Sequence, residues 1–100
     1  MEVVVRTYSG EGSSELFSLL EKHKDELEAR LRLIDGFESY TLARSDAGDG
    51  WMSITICQNK AGVEESIRFA REWIVANGAH IQADGPRIMS GTATIYALKA

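Results

Sequence analysis

The 100-residue sequence has one cysteine, Cys57, one proline, Pro86, and no long apolar stretch. A lone cysteine cannot close an internal disulfide, so the chain is no disulfide scaffold, and a reduced thiol fits a cytoplasmic location. Apolar runs are short, as at Val3-Val4-Val5, whereas a membrane-spanning helix needs about 20 such residues. Glu2, Arg6 and Glu11 interrupt the N-terminus, so no secretory signal is expected there. Positive charge is also scarce: 11 Lys and Arg against 15 Asp and Glu leave a formal charge of -4. Nucleic-acid binding needs clustered cations to neutralise phosphates, so that partner is not expected. There are no Cys/His pairs, no Gly-x-x-x-x-Gly-Lys phosphate loop and no Gly-x-Ser-x-Gly elbow. The expectation is therefore no metal, no cofactor and no membrane partner.

What is present is the composition of one soluble domain over residues 1–100, 44% hydrophobic and 26% charged. Glu2 to Tyr8 is β-branched and aromatic and predicts a strand, broken by Ser9-Gly10-Glu11-Gly12. Ser13 or Ser14 is placed to cap a helix, and Leu16, Leu19, Leu20, Leu27, Leu31 and Ile34 follow at helical spacing. That spacing predicts one helix over 14–34, ended by Asp35-Gly36. Phe37 to Arg44 and Trp51 to Cys57 read as strands joined by a Gly/Asp hairpin tip. Asn59 is a capping residue for a second helix with a stripe at Val63, Ile67, Ala70 and Ile74, stopped at Asn77-Gly78. Residues 79–90 read as a loop, and Thr92 to Leu98 as the last strand. The order β-α-β-β-α-β predicts the ferredoxin-like α+β fold: a four-stranded antiparallel sheet with both helices on one face.

Period-two alternation sorts each strand into two faces. Met52, Ile54 and Ile56 form the aliphatic set of the third strand and are assigned to the helices. The opposite, uncovered face then carries Val4, Arg6, Tyr8, Trp51, Cys57, Tyr96 and Leu98. The second strand is ambiguous, with Phe37, Thr41 and Ala43 opposing Tyr40 and Leu42. A mixed aromatic face of roughly 300 Å² is at the upper edge of what a monomer leaves bare. It predicts a homodimer packed sheet to sheet.

Gly36-Phe37-x-x-Tyr40 after the first helix, the Asp/Gly hairpin, and Glu65-Ser-x-Arg-x-Ala-x-Glu-Trp73 resemble the antibiotic-biosynthesis-monooxygenase-like proteins of the dimeric α+β barrel superfamily. The resemblance covers nearly the whole chain as element order. It implies two ferredoxin-like subunits pairing their sheets, with a small-molecule pocket between sheet and helices. It also implies chemistry ranging from cofactor-independent, quinone-forming monooxygenation to heme degradation. Heme-degrading members place a ligand histidine on the second helix, which here has none.

The candidate pocket residues are Arg6, Tyr8, His23, Tyr40, Trp51 and Cys57. Arg6 has the planar fork to bind a carboxylate or enolate oxygen, against a rim ion pair as the plainer role. Tyr8 and Tyr40 are hydrogen-bond or proton donors to a substrate oxygen, or structural. His23, on the apolar side of the first helix, is a pocket base or a locally bonded core-edge histidine. Trp51 stacks on an aromatic ligand or packs in the interface, and Trp73 reads as core. Cys57 lacks any feature that would activate a thiol and reads as inert.

Two functions compete. One is a dimeric barrel that binds or oxidises an aromatic or apolar small molecule without a metal. The other is a non-catalytic dimeric module of the same fold with a filled lumen. RNA-binding domains share the element order, but the third strand lacks their basic start and paired aromatics.

Overall fold

A computed structural model describes all residues from 1 to 100. The elements are β1 (Glu2–Ser9), α1 (Ser13–Lys22), α2 (Lys24–Arg32), β2 (Phe37–Arg44), β3 (Gly50–Cys57), α3 (Lys60–Gly78) and β4 (Arg87–Thr92). The strands form one sheet in the order β2-β3-β1-β4, each neighbouring pair antiparallel. This is the ferredoxin-like α+β architecture expected from the element order. No helix is long and apolar enough to cross a membrane.

Local signals account for most boundaries. The Asn59 side chain accepts the Gly62 N–H at 2.9 Å and caps α3, as expected. Gly36 takes φ +81°, the left-handed turn that ends the leucine-rich segment. The serine cap of the first helix is not used. Gly12 holds the N-cap position with φ 80°, and the Ser13 hydroxyl instead donates to the Gly10 carbonyl at 2.8 Å.

The single helix expected over 14–34 is two helices. His23 leaves helical geometry (φ -106°, ψ 20°), and its N–H is shared between the Leu19 and Leu20 carbonyls, a tightening typical of a helix end. Each half buries its own apolar residues, Leu16 and Leu20 before the break, Leu27 and Leu31 after it.

The last strand also differs. It runs over Arg87–Thr92, inside the expected loop, and Thr92 to Leu98 is not a strand beyond its first residue. The cause is register: β4 pairs with β1 from Thr7↔Arg87 to Glu2↔Thr92. Beyond Thr92, β1 has no further residues to pair with except Met1, whose carbonyl takes the Ala93 N–H. Tyr96 and Leu98 therefore do not lie on a sheet face, and Leu98 is exposed.

Alternation holds along β1 and β3, but the sides are the reverse of the expectation. Val4, Arg6 and Tyr8 on β1, and Trp51, Ser53, Thr55 and Cys57 on β3, are buried beneath the helices. They sit in cross-strand pairs, Val4↔Thr55, Arg6↔Ser53 and Tyr8↔Trp51. Met52, Ile54 and Ile56 face away, with Val3, Val5 and Met89 beside them, and Met52 and Met89 are exposed. The ambiguous second strand turns Tyr40 and Leu42 toward the helices after a bulge at Phe37/Ser39. The physical reason is volume. The rings of Tyr8, Trp51, Phe17 and Trp73 span the space between sheet and helices as one cluster, and the slimmer Ser53 and Thr55 beside them leave a gap there. A second cluster, Val4, Leu31, Ile34, Cys57 and Val63, closes the opposite end.

Candidate functional site between sheet and helices

The gap left by Ser53 and Thr55 is a small inner pocket of about 30 Å³, room for about two waters. Trp51, Tyr40, Phe69 and Trp73 supply its aromatic walls, Leu20 and Leu27 its aliphatic ones. Ser53, Thr55 and Ser66 add hydroxyls, and Arg6 is its only charged residue. At Arg6 and Ile74 the pocket meets an open groove of about 290 Å³ between α3, β1 and the segment before β4. Tyr8, Ile81, Ala83, Pro86 and Ile88 line that groove, with Arg71 and Asp84 as its other charges.

Arg6 is the unusual residue. It is only 8% exposed. One guanidinium nitrogen donates to the Tyr8 hydroxyl at 3.0 Å, while Nε is buried with no acceptor. No carboxylate pairs with it, the sole ion pair being Arg32 with Glu28 on the surface. Arginine does not shed its proton in proteins, and burying an ion without a partner costs roughly several kcal/mol. The hydroxyl of Tyr8, accepting from Arg6, keeps its own proton free to donate.

The two tyrosines respond to this surrounding. Burial pushes the Tyr8 hydroxyl pKa up, and the Arg6 charge opposes it. Burial likewise raises that of Tyr40, opposed by the Arg6 charge. Both therefore stay protonated well past neutrality, which leaves each O–H available to donate.

Trp51 is fixed on two sides. Its Nε1 donates to the Ser13 carbonyl at 2.9 Å, and its ring stacks on Tyr8. Trp73 donates from Nε1 to Glu26 at 2.7 Å across to α2.

Four of the six sequence candidates thus meet here: Arg6, Tyr8, Tyr40 and Trp51. Arg6 reaches the site from beneath the helices rather than from the face first assigned to it. His23 does not line the pocket or the groove; it stands at the α1/α2 break with its ring edge-on to Trp73, centroids 5.4 Å apart. Cys57 is fully buried at the far end of the sheet. Burial raises its thiol pKa, and Glu38 and Glu65 add to the rise. Ser53, Thr55, Ser66 and Phe69 were missed by the sequence reading. The available signal was the polar alternation Ser53-x-Thr55 in an otherwise apolar strand. No group of three or more His, Cys, Asp or Glu side chains is placed to hold a metal ion.

No family model and no curated protein sequence matches the chain. Solved structures do. The monooxygenase ActVA-Orf6 of Streptomyces coelicolor, solved with nanaomycin D, superposes with a TM-score of 0.74 at 17% identity, over 99% of this chain and 92% of that one. SnoaB of Streptomyces nogalater, a cofactor-independent oxygenase, gives 0.66 at 14% identity, over 98% and 97%. A dimeric ferredoxin-like protein from an uncultured marine organism gives 0.69 at 11% identity, over 99% and 100%. The chain therefore has the fold of the antibiotic-biosynthesis-monooxygenase-like proteins, the resemblance drawn above, and at these identities the likeness is one of fold.

Proposed function

We propose that this chain binds an aromatic small molecule between sheet and helices and oxidises it with O₂, without a bound metal or organic cofactor. The observation that carries the reading is the junction at Arg6, where an open, largely apolar groove runs into an aromatic-walled inner pocket. A groove of about 290 Å³ takes one or two fused rings, since a cavity near ~150 Å³ suffices for benzene. The inner pocket is far too small for a ring and takes only a polar substituent. The space between sheet and helices is therefore neither packed solid, as in the non-catalytic alternative, nor a wide lumen. Trp51 and Tyr8 fill its depth, and the groove is the part that receives the ligand.

The reaction that suits such a ligand converts a phenol to a quinone. One atom of O₂ becomes the new carbonyl oxygen on the ring. The other leaves as water, carrying the phenolic hydrogen and the hydrogen of the oxidised ring carbon. The oxygenase names of two fold neighbours support this class.

Two copies are proposed to pair through the open sheet face. Met52, Ile54, Ile56, Val3, Val5 and Met89 make that face apolar, and one fold neighbour is described as dimeric. The location proposed is cytoplasmic.

The test is tryptophan fluorescence during titration with 1,4-naphthoquinone, a neutral ligand, followed by O₂ uptake with naphthols. Trp51 and Trp73 both wall the inner pocket, so binding is expected to change emission saturably. Binding without O₂ uptake would reduce the reading to ligand binding, and no saturable change with any aromatic probe would overturn it.

A further inference from the structure

Resting on that reading, we propose that the ligand is an aromatic monoanion whose ionised oxygen is held at the junction by Arg6, which makes the cavity charge-selective. Arg6 lines both the inner pocket and the groove, so a ring in the groove places a substituent oxygen beside it. Its Nε–H is buried and lacks an acceptor, and more than nine-tenths of the residue is out of solvent. The inner pocket holds no countercharge. In the groove, Arg71 adds a second cation against the single carboxylate of Asp84. Tyr8 fixes the guanidinium by accepting from it at 3.0 Å and offers its own O–H to the same oxygen. An anionic oxygen would supply the countercharge that Arg6 lacks, with charge-assisted bonds to the guanidinium stronger than those of a neutral oxygen.

A charge ladder on the wild-type chain tests this, read by tryptophan fluorescence or calorimetry. 2-Naphthoate is expected to bind about ten-fold or more tightly than its neutral isostere 2-naphthamide. 4-Nitrophenol, whose phenolate is yellow, is expected to ionise about one pH unit lower when bound than when free. Arg6→Met should abolish both effects, and Arg6→Lys should retain part of each. A preference seen with naphthoate alone assigns a carboxylate ligand, and a shift seen with nitrophenol alone assigns a phenolate. Equal binding of acid and amide with no nitrophenol shift overturns the proposal and leaves the cavity reading standing. So does a preference that survives in Arg6→Met. If neither naphthyl probe nor the neutral quinone binds, the cavity reading falls and this proposal with it. The wild-type ladder decides the matter even where Arg6→Met fails to fold.

Discussion

Tyr8 and Trp51, partners across β1 and β3, stack with ring centroids 4.1 Å apart and planes within 11°. The pair closes one end of the space between sheet and helices, and the Trp51 Nε1–H bond to the Ser13 carbonyl ties it to the start of α1. Sheet, helix and pocket wall therefore share one side chain. Trp51→Ala is expected to lower stability by roughly 3–5 kcal/mol. Trp51→Phe keeps the stack and leaves the carbonyl short of a donor, a loss of about 1–3 kcal/mol. Urea denaturation of both variants checks the order.

The open sheet face gives a prediction about assembly. Ile54 sits at its centre, between Val5 on β1 and Thr41 on β2. Wild-type chain is expected to sediment as a dimer at micromolar concentration, and Ile54→Asp as a monomer that keeps its helical circular dichroism. A folded wild-type monomer at that concentration would remove the sheet-to-sheet pairing.

Stability should fall on the alkaline side. Burial raises the pKa of Cys57 and of the Tyr8 and Tyr40 hydroxyls above their ordinary values of 9.0 and 10.0. The unfolded chain then releases these protons first, so it binds fewer protons than the folded chain as pH rises past those values. Stability is complete below about pH 9 and is lost as pH climbs through the raised folded values. Melting curves between pH 8 and about 11 should show this decline, shallower in Cys57→Ala. The same buried thiol should resist iodoacetamide until the chain unfolds.

Gly62, in the first turn of α3, lies against β3. A Cβ there would stand 2.9 Å from the Cβ of Cys57 and 3.1 Å from the Asp35 carbonyl oxygen. Gly62→Ala is expected to destabilise by about 1–3 kcal/mol through overpacking, despite alanine's better helix propensity. A melting temperature equal to wild type would show that β3 and α3 can separate at this contact without loss.

Much of the architecture follows from local chemistry. The Asn59 cap, the left-handed Gly36, the Gly/Asp hairpin tip and the apolar stripe of α3 are each written within a few residues, and each forms where the sequence places it. That is why the element order, and with it the fold class, could be read from one sequence. Four of the pocket residues were also visible as residue types, because an arginine or a large aromatic in a strand needs a reason to be there.

Other features depended on distant parts of the chain. The extent of β4 was set by which residues find a partner on β1, and the β-prone stretch after Thr92 finds none. The break at His23 interrupts a leucine pattern that by itself runs on without a gap. Alternation separated the two faces of β1 and β3 but could not say which set lies beneath the helices, since a period of two has no sign. Aliphatic bulk suggested one answer. Packing decided the other, because the rings of Tyr8 and Trp51 fill the space under the helices while Met52 and Ile54 point away. From the sequence alone came an acidic α+β domain with one unpaired thiol, because composition and short-range patterns suffice for that. Only the tertiary structure turned Arg6 inward and left its Nε–H without an acceptor beside a cavity, because that depends on which face of the sheet the helices cover.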